Sequence, residues 1–166
     1  MSAKDAFLRT YDEEDARTIK LLRAYPTDKL DLKPSPVLKS ARELAWVFVA
    51  ERGLATHLWN DAFANGVPSG SSQPAAPKDW NQILSALEKA HKEFSAMVRK
   101  ASDEDLQKKI HFFVAAKKMG EMTRMDMLWF VLHDEIHHRG QFSIYTRMAG
   151  AKMGSIYGPT ADEPWF

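Results

Sequence analysis

Apolar side chains recur three and four residues apart over four long stretches of the chain, which is the period of a helix packed on one face. Over 6–25, Phe7, Tyr11, Thr18, Leu21, Leu22 and Tyr25 lie near one stripe, and Pro26 ends it because proline has no N–H to continue a helix. Ser35 predicts an N-cap with Pro36 in the first turn. A second, long helix follows through Val37, Leu44, Val47, Phe48, Leu54 and Leu58, towards Phe63, with Gly53 inside it. Asp79 predicts the cap of a third, carrying Trp80, Ile83, Leu84, Leu87, His91, Phe94 and Val98. The last helix begins at Thr123 or Asp126 and is closed by Gly150. At 100° per residue, Trp129, His133, Ile136, His137, Gly140 and Ile144 share one side of it, which is expected to face the core.

The intervening segments are short of apolar pattern. The stretch 65–78 (NGVPSGSSQPAAPK) reads as a mobile loop, long enough for a crossover between bundle helices. Residues 27–36 form a connector in which Leu30 and Leu32 can pack on the bundle end. Ser102 caps a short turn, and 109–115 (KIHFFVA) is expected to lie extended on the bundle, since a single strand without a partner is marginal. Gly120 is expected to break the chain before the last helix. Met119, Met122, Met125 and Met127 read as adaptable core filling. His91 is read as a core or boundary histidine and His111 as structural or exposed. The pattern predicts an all-α fold: one four-helix bundle domain over 1–166 with a long crossover loop. Its tail, 151–166, carries Ile156, Tyr157, Trp165 and Phe166 and is expected to dock on the bundle or on a partner subunit.

Composition narrows the function classes. A formal net charge of +1 and no basic helix argue against a nucleic-acid partner. No cysteine is present, which removes disulfides, thiolate metal sites and a cysteine nucleophile. No apolar run reaches the ~18 residues of a membrane span, and no signal peptide is evident, so a cytoplasmic location is expected.

The chemistry concentrates in the last helix, at His133-Asp134-Glu135-Ile136-His137-His138-Arg139-Gly140-Gln141. Imidazoles at i and i+4 on one helical face can place two nitrogens on one divalent ion. His138 points about 100° away from His137 and cannot share that direction. Asp134 and Glu135 flank the stripe and could orient ring N–H groups.

This stretch, continued by Phe142-Ser143-Ile144-Tyr145-Thr146-Arg147-Met148-Ala149-Gly150, resembles the last-helix signature of the DinB-like family of helical bundles. The resemblance implies a divalent ion, zinc or nickel, held by three histidines, two of them from the last helix. His133 with His137 match the HxxxH spacing, and His138 is the alternative because relatives carry a ligand immediately before Arg-Gly-Gln. The third ligand comes from a second-helix pattern that here reads Glu43-Leu44-Ala45-Trp46-Val47, with Val47 or Trp46 where the histidine should stand. Neither can ligate, so the resemblance implies weak or absent metal binding, with Glu51, one turn after Val47, as the substitute third ligand. The alternative for Glu51 is a salt bridge to Arg139 or Arg52, and His57 stands about 15 Å beyond Val47 along the helix. Two functions are then in competition: a metal-dependent thiol transferase or hydrolase, and a non-catalytic bundle that binds a small ligand or only dimerises. The family implies a homodimer and a link to stress response.

Overall fold

The structure is a computed structural model and describes residues 2–69 and 74–166. Four long helices, α1 (Ala3–Arg23), α2 (Ala41–Trp59), α3 (Trp80–Lys100) and α5 (Arg124–Met148), form the bundle. A five-residue helix, α4 (Asp103–Gln107), and a hairpin of β1 (Lys109–Ala115) and β2 (Lys118–Thr123) join α3 to α5. Each of α1 and α2 packs on both α3 and α5.

The helix starts are set by side-chain caps. Ser2, Ser40, Ser102 and Thr123 each accept from the N3 backbone N–H while the N3 carboxylate accepts from the cap's own N–H. Such a cap contributes about 1 kcal/mol and fixes where the helix begins. This corrects the expected start of α2 at Ser35: the Ser40–Glu43 box wins, and Val37 is left exposed on the connector. Trp59 ends α2 before Phe63, with Asp61 in the left-handed region at φ 52°. Asp79 caps α3 as the sequence implied. Gly150 follows α5 at φ 79°, a conformation that glycine adopts without a Cβ penalty.

Two apolar clusters fill opposite ends of the bundle. One joins Phe7, Leu8 and Tyr11 to Leu58, Phe94, Val98, Met127 and Val131. The other joins Ile19 and Leu22 to Leu44, Phe48, Ile83, Leu87 and Phe142. The first takes the N-terminal halves of α1 and α5 and the C-terminal halves of α2 and α3, so α2 and α3 run parallel. Parallel neighbours cannot be joined by a tight turn, so the connection between the end of α2 and the start of α3 must return along the bundle. That is the crossover the sequence implied. The mobility expected of 65–78 falls partly, at 70–73, outside the described residues. The part after them is fastened to α2, with Trp46 Nε1 donating to Pro74 O at 2.9 Å and Arg42 Nη1 to Ala76 O at 3.0 Å.

The segment 109–115 is a strand with a partner, which corrects the extended-segment expectation. Phe112 pairs with Gly120 and Ile110 with Met122 in an antiparallel register. Gly120 therefore lies inside a strand. A Cβ there would come within 2.7 and 2.8 Å of the Val114 methyls, so a larger residue would force Val114 or the local backbone to shift. The polar, glycine-bearing sequence of β2 hid the second strand.

The tail docks up to Glu163. Met153 is buried, Ile156 packs on the second cluster, and Tyr157 hydrogen-bonds Arg139 and Glu14. Arg147 pairs with Asp162 at 3.0 Å, and Lys20 Nζ donates to Ser155 O at 3.0 Å. Trp165 and Phe166, expected to dock, are exposed.

Candidate metal centre

Between the two apolar clusters each of the four long helices contributes polar groups to one layer. The largest of them are buried charges: Arg52, Glu135 and Arg139 are each at most 2% exposed. Arg52 donates to Phe48 O at 2.7 Å, Asp15 Oδ1 at 2.8 Å and Glu135 Oε2 at 3.0 Å. Thr18 Oγ1 donates to Glu135 Oε1 at 2.7 Å and accepts from Arg139 Nη1 at 3.2 Å. Arg139 also donates to the Glu14 backbone carbonyl at 2.9 Å and to the Glu14 carboxylate. Tyr11 lies against Arg52, and burial raises its hydroxyl well above the ordinary range. His91 stands at the edge of the layer, with Nε2 3.0 Å from Asp12 and its ring stacked on Tyr11. Buried charges on this scale persist only when paired, because desolvating a lone ion costs several kcal/mol.

This layer explains where α5 faces. Its buried side is Met127, Leu128, Val131, Leu132, Glu135, Arg139, Phe142, Tyr145 and Thr146. The expected core stripe is therefore corrected. His133, His137, Gly140 and Ile144 are exposed, while Trp129 and Ile136 are only partly buried. Apolar periodicity misplaced the face because two of its central positions are a glutamate and an arginine that find partners inside the bundle.

With that rotation the α2–α5 seam receives a different set of donors. Glu51 is buried, and its Oε1 lies 2.5 Å from His138 Nδ1. Asp134, one turn before His138, approaches the same nitrogen at 3.8 Å. Ligand atoms of Glu51, Asp134 and His138 all lie within 4.8 Å of one another. Among the described residues, no group hydrogen-bonds the buried Glu51 Oε2. Phe48 meets the His138 ring edge-on and helps fix its plane. Burial pushes the Glu51 carboxyl up to about 7 against the pull of the His138 hydrogen bond, and that same bond raises His138 above the usual imidazole value.

Of the histidines singled out in the sequence, His138 joins this cluster. His133 and His137 do not, and His137 Nε2 sits 2.8 Å from Gln141 Nε2. Glu51, considered there as a third ligand, is in the cluster and bonds neither Arg52 nor Arg139; those guanidiniums hold Asp15, Glu135 and Glu14. His57 is exposed and outside the cluster, and His111 is held by Asp61 at 3.1 Å. Asp134 was read in the sequence as a flanking carboxylate, and the signal that could have placed it is its i, i+4 spacing to His138. Val47, which takes the place of the histidine of the second-helix pattern, lies one turn before Glu51.

The donors present fit a cation. They converge, they include a buried oxygen with no partner among the described residues, and they combine one imidazole with two carboxylates, a set that binds borderline and hard divalent ions.

Comparison with known proteins adds ancestry. A model of the DinB family matches residues 1–164. Uncharacterized protein YrdA of Bacillus subtilis is 28% identical over 162 residues, covering 96% of this chain and 90% of that protein. Among solved structures, a DinB-like protein from Bacillus cereus superimposes with TM-score 0.77 at 20% identity, covering 92% of this chain and 97% of that one. YfiT from Bacillus subtilis, described as a probable metal-dependent hydrolase with an unusual four-helix bundle topology, superimposes with TM-score 0.59 at 16% identity, covering 90% of this chain and 89% of its own.

Proposed function

The chain belongs to the DinB family, and from that premise we propose that Glu51, Asp134 and His138 hold a divalent metal ion in an enzyme that activates water or a thiol for attack. The observation that carries the reading is Glu51: a buried carboxylate with one oxygen on His138 and the other without a partner among the described residues, beside a second carboxylate. A carboxyl held up to about 7 by burial is a group that a cation would return to its ionised form. The description of YfiT as a probable metal-dependent hydrolase supports the same reaction class.

The residues divide the work. Glu51 and Asp134 supply two negative charges, which offset a divalent ion more fully than the neutral imidazoles of a three-histidine set. The oxygen-rich set shifts preference from nickel towards zinc or manganese. When bound, such an ion supplies Lewis acidity that makes water or a thiol nucleophilic near neutral pH. Asp134 is 41% exposed at its side chain and marks the side from which substrate enters. His138, oriented by Glu51 and by the Phe48 edge, would supply the imidazole nitrogen of the donor set.

Hydrolysis of activated esters and transfer to a small thiol are the two assays that test this. Zinc- or manganese-loaded protein should exceed the same concentration of free ion in one of them, and His138→Ala should lose the excess. A second reading rests on the 2.5 Å Glu51–His138 contact itself, which pairs the two groups without a metal and suits a non-catalytic bundle. Under that reading, loaded and metal-free protein are equally inert.

A further inference from the structure

A cavity of about 550 Å³ lies on a different side of α2, between the 33–39 connector, the first turns of α2 and Pro74–Ala76 of the crossover. In its wall, Trp46 stands five residues and Arg42 nine residues before Glu51, which puts them about 140° and 180° around the helix from Glu51. The cavity is therefore separate from the candidate metal centre, and its size is that of a small-molecule site.

Its lining is amphiphilic. Three cations, Lys33, Lys39 and Arg42, face a single carboxylate, Glu43. Glu43 is committed to the Ser40 N–H at 2.7 Å, and Lys33 approaches it only to 3.7 Å. Arg42 is held by Asp31 and Ala76 O, both at 3.0 Å. Lys39 has no ion-pair partner among the described residues, and its backbone is fixed by Tyr145 OH donating to Lys39 O at 2.8 Å. The backbone N–H groups at the start of α2 are already taken: Ala41 N by Leu32 O, Arg42 N by Leu30 O and Glu43 N by Ser40 Oγ. An anion here is bound by side chains, not by the helix terminus. Beside the cations stand Trp46, whose indole is pinned by Pro74 O, and the exposed Val37 and Leu38.

Cations around an indole wall and bare aliphatic side chains match one ligand chemistry. We infer that this cavity binds a small organic anion with a flat apolar body, the anionic group on Lys33 and Lys39 and the body against Trp46, Val37 and Leu38. The site is independent of the metal and of the reaction proposed above.

The test uses 2-naphthoate as probe, with 2-naphthalenemethanol as its uncharged counterpart. Titration is followed by calorimetry and by the Trp46 indole N–H in proton–nitrogen spectra, assigned with Trp46→Phe. Naphthoate should shift the Trp46 signal and bind more weakly as salt rises. Lys33→Ala and Lys39→Ala, both at exposed positions, should each weaken it by about fivefold, the upper end for one exposed ion pair. Glu51→Gln should leave it unchanged, so the result is separable from the fate of the metal site. Equal binding of the alcohol, unaltered affinity in both lysine variants, or shifts confined to other tryptophans would each overturn the inference.

Discussion

Replacing Arg52 by Met strands two carboxylates in the middle of the bundle. Arg52 is 2% exposed and bridges Asp15 at 2.8 Å and Glu135 at 3.0 Å, while also capping Phe48 O at 2.7 Å. Methionine fills most of the volume, so the loss is electrostatic rather than a cavity. Thr18 still reaches Glu135, and His91 stands 3.3 Å from Asp15, but neither supplies a fixed positive charge. Removing one member of a buried set costs about 3–5 kcal/mol, a large part of the roughly 5–15 kcal/mol that holds a domain together. In urea that is a midpoint lower by about 2 M for a slope near 2 kcal/mol/M. The deficit should shrink as pH falls, because the Asp15 carboxyl, already raised by burial, rises further without the guanidinium and takes up a proton in the native state. Arg52→Met with Asp15→Asn and Glu135→Gln should regain much of the loss, since no buried charge is then orphaned. A loss under about 1 kcal/mol with no pH dependence would show that water reaches the layer, and the account of α5's facing would fall with it.

Stability of the metal-free protein should decline as pH rises from about 4.5 to about 7, because native Glu51 keeps a proton that the unfolded chain has released. The drop is about 3 kcal/mol at most, by 1.36 kcal/mol per pKa unit; raised His138 adds to it above its ordinary value, its contribution being lost as pH climbs. Denaturant midpoints at several pH values should show this slope, and Glu51→Gln should flatten it; an unchanged slope in the variant refutes the assignment. Gly120→Ala should cost about 1 kcal/mol or more from the contact with the β-branched Val114, read as a lower melting temperature, and Val114→Ala should relieve it.

The sequence carried the architecture because four amphipathic stretches and an unusually long connection leave few other packings. It carried less of the hairpin, since Lys118–Thr123 has none of the β-branched alternation that marks a strand. The site was half legible. Glu51 and His138 were both within view, but the rule that charges face water turned α5 by part of a turn and put His133 and His137 where Glu135 and Arg139 belong. Only the partners, Arg52 on α2 and Glu14 on α1, make those two charges core residues, and that information is spread over three helices.

The most direct measurement is calorimetric titration of zinc and of manganese into untagged, metal-depleted protein, alongside Glu51→Gln, His138→Ala and the double variant His133→Ala/His137→Ala. One ion per chain should bind wild type and the double variant alike, and binding should be lost in Glu51→Gln and in His138→Ala. Absence of binding to wild type, or binding that survives Glu51→Gln and disappears with His133 and His137, would contradict a metal centre at Glu51, Asp134 and His138.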